Sequence, residues 1–256
     1  MVGLVSPKHG IPVRVGTLPY LTKEQLVQKL ISDKTLATPR IINAFKAIDR
    51  KDFVLSEDLE RAYEDRPLSI GYAATISQPT TVAFMLEKLF EGNSVRGKDT
   101  LRAPYEIEAR CGPSRFRSGR ALAASNGASK ILEIGTGSGY MTALLAKLAG
   151  VEGKVYSIEY VPELTEFAKI NLDKYNFKNI KLFTGDGKLG LPEYALFDRV
   201  ISSASAEEIP KTWKDQLRVG GKVVAPVGES LVELEKLSKR RFKETEYKGF
   251  VFVPLQ

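Results

Sequence analysis

Histidine and cysteine are almost absent from this chain of 256 residues. His9 is the only histidine and Cys111 the only cysteine. A lone cysteine cannot form an intrachain disulfide, and the two residue types are too rare for a zinc site of the usual composition. The common serine and cysteine nucleophile schemes would lack a histidine base, because His9 lies in a leader with proline and glycine. We therefore predict no metal ion and a chemistry that needs little acid–base help.

Long apolar runs are also missing from the sequence. No stretch approaches the ~18 apolar residues that a membrane-spanning helix needs. Pro7 and Lys8 interrupt the start of the chain before an apolar core of signal-peptide length can form. With 43% hydrophobic and 27% charged residues, the composition is that of an ordinary globular protein. We expect a cytoplasmic monomer with no membrane partner.

The net charge of +7 is concentrated in one segment. Residues 94–130 hold eight lysines and arginines against three acidic residues, and the rest of the chain is close to balanced. Such a segment is either a solvated basic loop or the electrostatic footprint of a nucleic acid partner. The loop is the simpler interpretation, and nucleic acid stays an alternative.

Residues 1–90 predict three helices and a loop. Thr22 begins a capping box with the glutamine three residues later, and Thr38 precedes a proline at the start of a second apolar repeat. Pro79 opens a third helical pattern. The stretch 51–78 has no clear period and is predicted to be irregular.

Residues 91–129 break the hydrophobic pattern. Glycine, serine, alanine and arginine dominate, and six of the fifteen arginines fall between 96 and 120. Apolar residues are sparse and follow no period. We predict a long surface insertion there.

Residues 130–256 alternate between strand-like and helix-like runs. This alternation is typical of a parallel sheet with helices on both faces, so we predict a doubly wound, Rossmann-like α/β core that carries the N-terminal helices in the same domain. The last part, 231–256, has a charged stretch and then an apolar run predicted to be the final strand. The other predicted strands are 131–134, 155–159, 180–184, 198–203 and 222–227, and the predicted helices are 139–149, 162–175 and 207–217.

Three glycines occupy alternate positions between the first of these strands and its helix. Gly135, Gly137 and Gly139 permit a tight turn and a close approach of ligand to backbone, and the N–H groups of a helix start can bind polar ligand atoms. A dinucleotide fingerprint would need a glycine at position 140, which is Tyr140. The spacing G-x-G-x-G instead resembles the S-adenosylmethionine (AdoMet) loop of Rossmann-like methyltransferases. The alternative is a plain tight turn.

Several other segments extend this resemblance to one family. Together they are similar to the protein-L-isoaspartate O-methyltransferases over most of 35–90 and 130–256. The AdoMet loop is common to many methyltransferases, whereas TISQP and APVG are more specific. The segments are AYEDRPLSIGYAATISQPTTVAFMLEKL (62–89), ILEIGTGSGY (131–140), GDGKLG (185–190), SASAEEIP (203–210), QLRVGGKVVAPVG (216–228) and the ending FVFVPL.

The resemblance implies a repair reaction on isoaspartyl proteins and peptides. AdoMet would methylate the free α-carboxylate of an L-isoaspartyl residue, and the ester would close to a succinimide whose hydrolysis returns some aspartate. A carboxylate with a pKa near ~3.9 is ionised at neutral pH and needs no general base. Placing the two reactants in line can contribute up to roughly 7–11 kcal/mol, which agrees with the scarcity of histidine.

The resemblance also implies a set of site residues. Ser77 is the expected active-site residue, whose hydroxyl would orient the substrate carboxylate and which also fits an N-cap of the following helix. Glu159 would accept hydrogen bonds from the ribose hydroxyls, and Asp186 would lie near the adenine. A surface carboxylate and a plain turn are the respective alternatives. The other implied residues are Thr75, Ile76, Ala204 and Ser205 for the substrate, and Glu133, Gly135, Thr136, Gly137, Ser138, Gly139 and Gly187 for the cofactor.

Two departures from the family pattern leave other functions open. The family usually has Gly-Gln before TIS, where this chain has Ala73 and Ala74, and it usually has a short link in place of 91–129. An RNA methyltransferase is one alternative. Residues 202–205 lack the Asn/Asp-Pro-Pro-aromatic motif that enzymes methylating exocyclic base amines often carry, which argues against that subclass only. A non-catalytic AdoMet-binding relative is the other.

Overall fold

A seven-stranded sheet forms the centre of the protein. The computed structural model describes residues 21–91, 129–250 and 252–255. A separate two-stranded hairpin precedes the sheet. The hairpin strands are β1 (Leu68–Gly71) and β2 (Ala74–Ile76), and the sheet strands are β3 (Lys130–Ile134), β4 (Lys154–Glu159), β5 (Ile180–Thr184), β6 (Phe197–Ser202), β7 (Leu217–Val227), β8 (Ser230–Lys236) and β9 (Phe242–Lys248).

The order of the strands places β3 at the topological switch point. The sheet runs β5-β4-β3-β6-β7-β8-β9, in which β5 to β7 are parallel and β8 and β9 pair antiparallel. The chain leaves β3 to one side for β4 and β5, and returns to its other side for β6. Ligands bind at such a point beyond the carboxyl ends of the strands. The predicted fold class and all five predicted parallel strands are confirmed.

Helices cover the two faces of the sheet unequally. On one face, Ile131, Val155 and Val224 share a buried core with the first five helices. On the other face, Leu132 and Val200 pack against residues of the sixth helix and its surroundings. The helices are α1 (Lys23–Ser32), α2 (Pro39–Ala47), α3 (Pro79–Phe90), α4 (Tyr140–Leu148), α5 (Pro162–Asp173) and α6 (Lys211–Gln216), with 3-10 turns at Arg50–Phe53, Ser56–Arg61, Gly187–Leu189 and Pro192–Tyr194.

The helix starts predicted in the N-terminal part are confirmed, with one difference in chemistry. The Thr22 side chain accepts a hydrogen bond from the Gln25 backbone, and the Gln25 side chain accepts one from the Thr22 backbone, so the capping box is complete. Thr38 is the N-cap of α2 but forms no side-chain cap. Its hydroxyl donates to Glu87 of α3 instead, at 2.6 Å, which ties α2 to α3.

Two predictions are wrong: that the stretch 51–78 is irregular, and that the apolar ending of the chain is the final strand. The stretch 51–78 contains two 3-10 turns and the hairpin of β1 and β2, whose strands of four and three residues are too short to show a period. The charged stretch after 230 forms β8 and β9. A strand as charged as β9 is possible there because β9 lies at the edge of the sheet and exposes its charged side chains to water. In the described part of the apolar ending, 249–250 and 252–255, the predicted final strand does not form, and an isolated bridge pairs Pro254 with Ser205.

The predicted insertion 91–129 lies outside the described residues except at its ends. Glu91 follows α3, and Ser129 precedes β3, where its N–H donates to the carbonyl of Ala149. Ser129 is therefore at the amino end of β3, and the glycine loop is at the carboxyl end. Within the described ranges no helix combines the length and apolar character needed to span a membrane.

Candidate active site

The glycine loop between β3 and α4 uses a backbone conformation that explains its glycines. Gly135, Gly137 and Gly139 have φ of 84°, 54° and 86°. L side chains disfavour this region by roughly 1–2 kcal/mol per residue. A Cβ on Gly139 would also lie 3.2 Å from Leu172 and 3.3 Å from Ala168, both on α5. The loop therefore needs glycine for its shape and, at Gly139, also for its packing.

Glu159 fixes the glycine loop to the end of β4. Its Oε2 accepts a hydrogen bond from the Gly137 N–H at 2.8 Å, and its Oε1 accepts one from the Val161 N–H at 3.1 Å. The side chain is only 7% exposed. The Gly135 N–H donates to the carbonyl of Ile158 at 2.8 Å. The carboxylate thus stands at the carboxyl edge of the sheet, beside the loop.

A cleft of about 180 Å³ opens at this edge of the sheet. The described residues around it include six of the predicted site residues and a larger apolar set that was not predicted. The predicted ones are Thr75, Gly135, Gly137, Glu159, Gly187 and Ala204. The others are Tyr72, Ala73, Ala74, Ile134, Ile158, Tyr160, Val161, Leu164, Ser203, Val253, Pro254 and Leu255.

A second, smaller cavity of about 30 Å³ brings Ser77 to the glycine loop. Several of its lining residues carry a hydroxyl group. They include Thr75, Ile76 and Ser77 from the segment before α3, and Gly135 to Ser138 from the glycine loop. The structure thus joins the predicted substrate loop to the predicted cofactor loop.

Four predicted residues, Glu133, Gly139, Asp186 and Ser205, line neither cavity. Asp186 accepts a hydrogen bond from the Lys188 N–H at 2.8 Å and caps the 3-10 turn that starts at Gly187. Ser205 donates through its hydroxyl to the carbonyl of Gly228 at 3.2 Å. These contacts hold the loops after β5 and β6.

Glu133 is fully buried beneath the glycine loop. Its Oε2 accepts a hydrogen bond from the Thr142 hydroxyl at 2.6 Å, whereas its Oε1 has no partner among the described residues. Burial raises the pKa of Glu133 to about 8, against the lowering effect of the Thr142 hydrogen bond. A neighbouring pair of buried hydroxyls, Thr136 and Ser157, lies 2.6 Å apart. Burial therefore favours the protonated form of Glu133 at neutral pH.

The predicted N-cap role of Ser77 is wrong. The N-cap of α3 is Gln78, without a side-chain cap. Asp65 caps the start of α3 instead. Its carboxylate accepts hydrogen bonds from the Thr80 N–H at 2.9 Å and the Thr80 hydroxyl at 2.6 Å. No local sequence spacing signals a cap that lies 15 residues away.

The hairpin turn at the mouth of the cleft is strained. Tyr72 and Ala73 have φ of 53° and 56°, as the two central residues of a type I′ turn require. The Tyr72 side chain is 59% exposed. Tyr160, which directly follows Glu159, is 53% exposed at the same cleft. Sequence reasoning missed both tyrosines, because nothing in their local pattern distinguishes them from surface residues.

The described side chains offer no metal site. No group of three or more histidine, cysteine, aspartate or glutamate residues within the described ranges is placed to hold a metal ion.

Comparison with known proteins supports one class and one family. A crystal structure from Plasmodium falciparum, described as a protein-L-isoaspartate O-methyltransferase in complex with S-adenosyl-L-homocysteine, superposes with a TM-score of 0.70 over 91% of this chain and 97% of that chain, at 22% identity. This likeness shows the fold of a Rossmann-like methyltransferase. The family model for protein-L-isoaspartate(D-aspartate) O-methyltransferase matches residues 21–98 and 121–256. The chain belongs to that family.

Two relatives show how far the similarity extends. A protein-L-isoaspartate O-methyltransferase from Methanothrix thermoacetophila is 36% identical over 236 residues, which cover 92% of this chain and 95% of the relative. One from Burkholderia pseudomallei is 36% identical over 239 residues, and the match spans 91% of this chain but only 63% of that longer protein. The family model leaves residues 99–120 unmatched, and these lie inside the predicted insertion.

Proposed function

We propose that this protein transfers the methyl group of AdoMet to the free α-carboxylate of L-isoaspartyl residues in damaged proteins and peptides. The observation that carries the proposal is the small cavity shared by Ser77 and the glycine loop. A methyl transfer needs its two reactants side by side, and this cavity lies where the two predicted loops meet. Membership of the family supports the same reaction.

The larger cleft has the chemistry that AdoMet needs. The apolar walls at Ile158 and Leu164 suit an adenine ring, and Glu159 offers a carboxylate beside them. A carboxylate can accept hydrogen bonds from the two ribose hydroxyls and disfavours a 2′-phosphate. The glycine loop has no side chain at Gly135 or Gly137 that would keep a ligand away from its backbone. These residues fit the group, and we propose that the cofactor site also includes Glu133, Thr136, Ser138, Gly139, Asp186 and Gly187.

The residues of this chain orient the substrate and do not deprotonate it. When bound, AdoMet supplies a sulfonium methyl group. The substrate carboxylate is ionised at neutral pH, because its ordinary pKa is near ~3.9. Within the described residues, the half-buried Ser77 hydroxyl forms no hydrogen bond with another protein group, so it is free to donate to a carboxylate oxygen. Thr75, Ile76, Ala204 and Ser205 would shape the surrounding peptide groove.

Methyl transfer from labelled AdoMet tests this function. The substrates are two peptides that differ only in L-isoaspartate or L-aspartate at one site. We expect transfer to the isoaspartyl peptide alone. Ser77→Ala should lower kcat/KM by about 10- to 100-fold, the range for loss of one hydrogen-bond donor at a charged reacting group. Ser69→Ala is the matched control, since this exposed serine lies in β1 of the hairpin that leads to Ser77, lines neither cavity and accepts one hydrogen bond, from the Gly71 N–H at 3.3 Å.

Three results would contradict the proposal. The first is equal transfer to both peptides. The second is AdoMet binding in calorimetry without transfer to either peptide, which would favour a non-catalytic relative. The third is salt-dependent RNA binding with transfer to RNA alone. The basic segment 94–130 lies almost wholly outside the described residues, so the structure gives this third alternative no support of its own.

A further inference from the structure

Asn171 contacts the glycine loop from a helix that is distant in the sequence. It lies near the end of α5 and its side chain is buried, with 4% exposed. Its Nδ2 donates a hydrogen bond to the carbonyl oxygen of Ser138 at 3.0 Å. Ser138 stands between Gly137 and Gly139 and lines the small cavity that also contains Ser77. The amide therefore reaches the cofactor loop from its buried side.

A second contact favours the same orientation of this amide. The ammonium group of Lys174 donates to the Asn171 Oδ1 at 3.5 Å, and it also donates to the carbonyl oxygen of Asp52 at 2.9 Å. A flipped amide would place its oxygen against the Ser138 carbonyl oxygen and its NH₂ group against the ammonium. Both contacts would be repulsive. The donor of Asn171 is thus held toward the loop.

The loop needs such a contact because its own conformation is costly to hold. Its three glycines lose more backbone freedom on folding than other residues do. Ser138 is 3% exposed, so a carbonyl there without a partner would be buried and unsatisfied. Packing of Gly139 against Ala168 and Leu172 holds the loop close to α5 but does not orient its peptide groups. A directional hydrogen bond from the same helix does.

We propose that Asn171 is a positioning residue, which fixes the Ser138 peptide group and so holds the glycine loop in its cofactor-binding shape. It touches neither cavity and is not a catalytic residue. This proposal rests on the proposed function, because it takes AdoMet as the ligand of the loop. Loss of the Asn171 amide should weaken AdoMet binding more than it weakens the binding of the peptide.

The chain supplies a matched control for this contact. Asn179 also donates through Nδ2 to a backbone carbonyl of α4, that of Ala146, at 3.0 Å. Ala146 is near the far end of the helix, away from the glycine loop. The variants Asn171→Leu and Asn179→Leu therefore each remove one amide-to-carbonyl bond, the first to the loop before α4 and the second to α4 itself. Only one of these bonds is at the loop.

Calorimetry with AdoMet, KM values for AdoMet and peptide, and Tm form the test. We expect Asn171→Leu to raise the Kd and KM for AdoMet about tenfold, the effect of leaving one buried carbonyl unpaired. The peptide KM should change less than twofold. Asn179→Leu should lower Tm but leave AdoMet binding within twofold of the wild type. If Asn171→Leu does not fold, Asn171→Ser replaces it, since serine is too short to reach the Ser138 carbonyl.

The outcomes separate this proposal from the proposed function. If wild-type protein does not bind AdoMet, the proposed function fails. If it binds AdoMet, and the two asparagine variants lower Tm while both leave the AdoMet Kd unchanged, Asn171 has only a structural role and this proposal is wrong. An equal rise in the AdoMet Kd of both variants would also overturn the proposal for Asn171, because the effect would then not depend on the loop.

Discussion

Ala73 occupies a backbone conformation that suits glycine better than alanine. Its φ is 56°, and the related family usually has glycine before the TIS segment. We predict that Ala73→Gly stabilises the protein by about 0.5–1 kcal/mol, since relief of 1–2 kcal/mol of strain is partly offset by the greater freedom of glycine in the unfolded chain. Urea denaturation measures this difference through the midpoint at constant m.

Ala74→Gly is the control for this prediction. Ala74 is the next residue, lies in β2 and has no positive φ. Glycine there should destabilise the protein by roughly 0.5–1 kcal/mol. Destabilisation by both variants would show that the turn is not strained at Ala73.

Glu133 makes the stability of the protein depend on pH. Burial raises its pKa from the ordinary value of 4.5 to about 8. Between these values the unfolded chain releases the proton and the folded chain keeps it, so this group lowers the free energy of unfolding as the pH rises, by up to about 1.4 kcal/mol per pH unit. Glu133→Gln should remove this slope. We expect the variant to be close to wild type near pH 5 and more stable than wild type at pH 8.

Denaturation at a series of pH values checks the Glu133 prediction. Glu193→Gln, at an exposed position, shows the effect of losing a carboxylate on the surface. Parallel stability curves for wild type and Glu133→Gln between pH 5 and pH 8 would contradict the assigned protonation.

Site residues that are neighbours in the sequence could be predicted from their spacing. Site residues whose partners are distant in the sequence could not. The spacing of Gly135, Gly137 and Gly139 predicts the loop, because its glycines and its turn are neighbours in the chain. Asn171 meets Ser138 across 33 positions, and such a contact leaves no trace in local spacing. Ser77, singled out through the family resemblance, lies beside the glycine loop, and its active-site role stays a prediction. Its predicted capping role was wrong, because Asp65 caps the helix instead.

At the level of elements, two helix caps should differ in their effect on activity. Asp65 caps α3 through Thr80, three residues after Ser77, whereas Thr22 caps α1 far along the chain from the site. We predict that Asp65→Ala and Thr22→Ala each lower the free energy of unfolding by about 1–2 kcal/mol. Asp65→Ala should also raise the KM for the isoaspartyl peptide, because the substrate loop leads directly into α3.

Steady-state kinetics and urea denaturation of the same two variants test this difference. Thr22→Ala is the control for loss of a cap alone. If both variants keep the wild-type KM for the peptide, the cap of α3 does not position the substrate loop.

Elements were predicted where they are long enough to show a period. α3 has buried apolar residues at helical spacing, and β3, β4 and β6 are runs of buried residues. The predicted positions of α3 and the parallel strands agree with the structure to within a few residues. β1 and β2 are too short for this signal. β9 has the sequence FKETEYK, whose charge is typical of a solvated loop. It forms a strand because it pairs with β8 at the edge of the sheet.

At the level of the whole molecule, the two halves of the sheet find their partners at different distances along the chain. β7, β8 and β9 are neighbours both in sequence and in space, with Val227 paired to Ser230 and Lys236 paired to Phe242. The centre of the sheet is different, because Ile131 of β3 pairs with Arg199 of β6. Two complete strand–helix units lie between those partners.

This arrangement gives the protein an order of folding. Closing a short loop costs less entropy than closing a long one, so local pairings form before distant ones. In refolding followed by pulsed hydrogen exchange, we expect the amides of β8 to be protected before those of β3 and β6. Simultaneous protection of all three strands would contradict this order. The cleft forms only when β3 meets β4 and β6, and a newly made chain would therefore form the β7–β9 part of the sheet first and the cleft last.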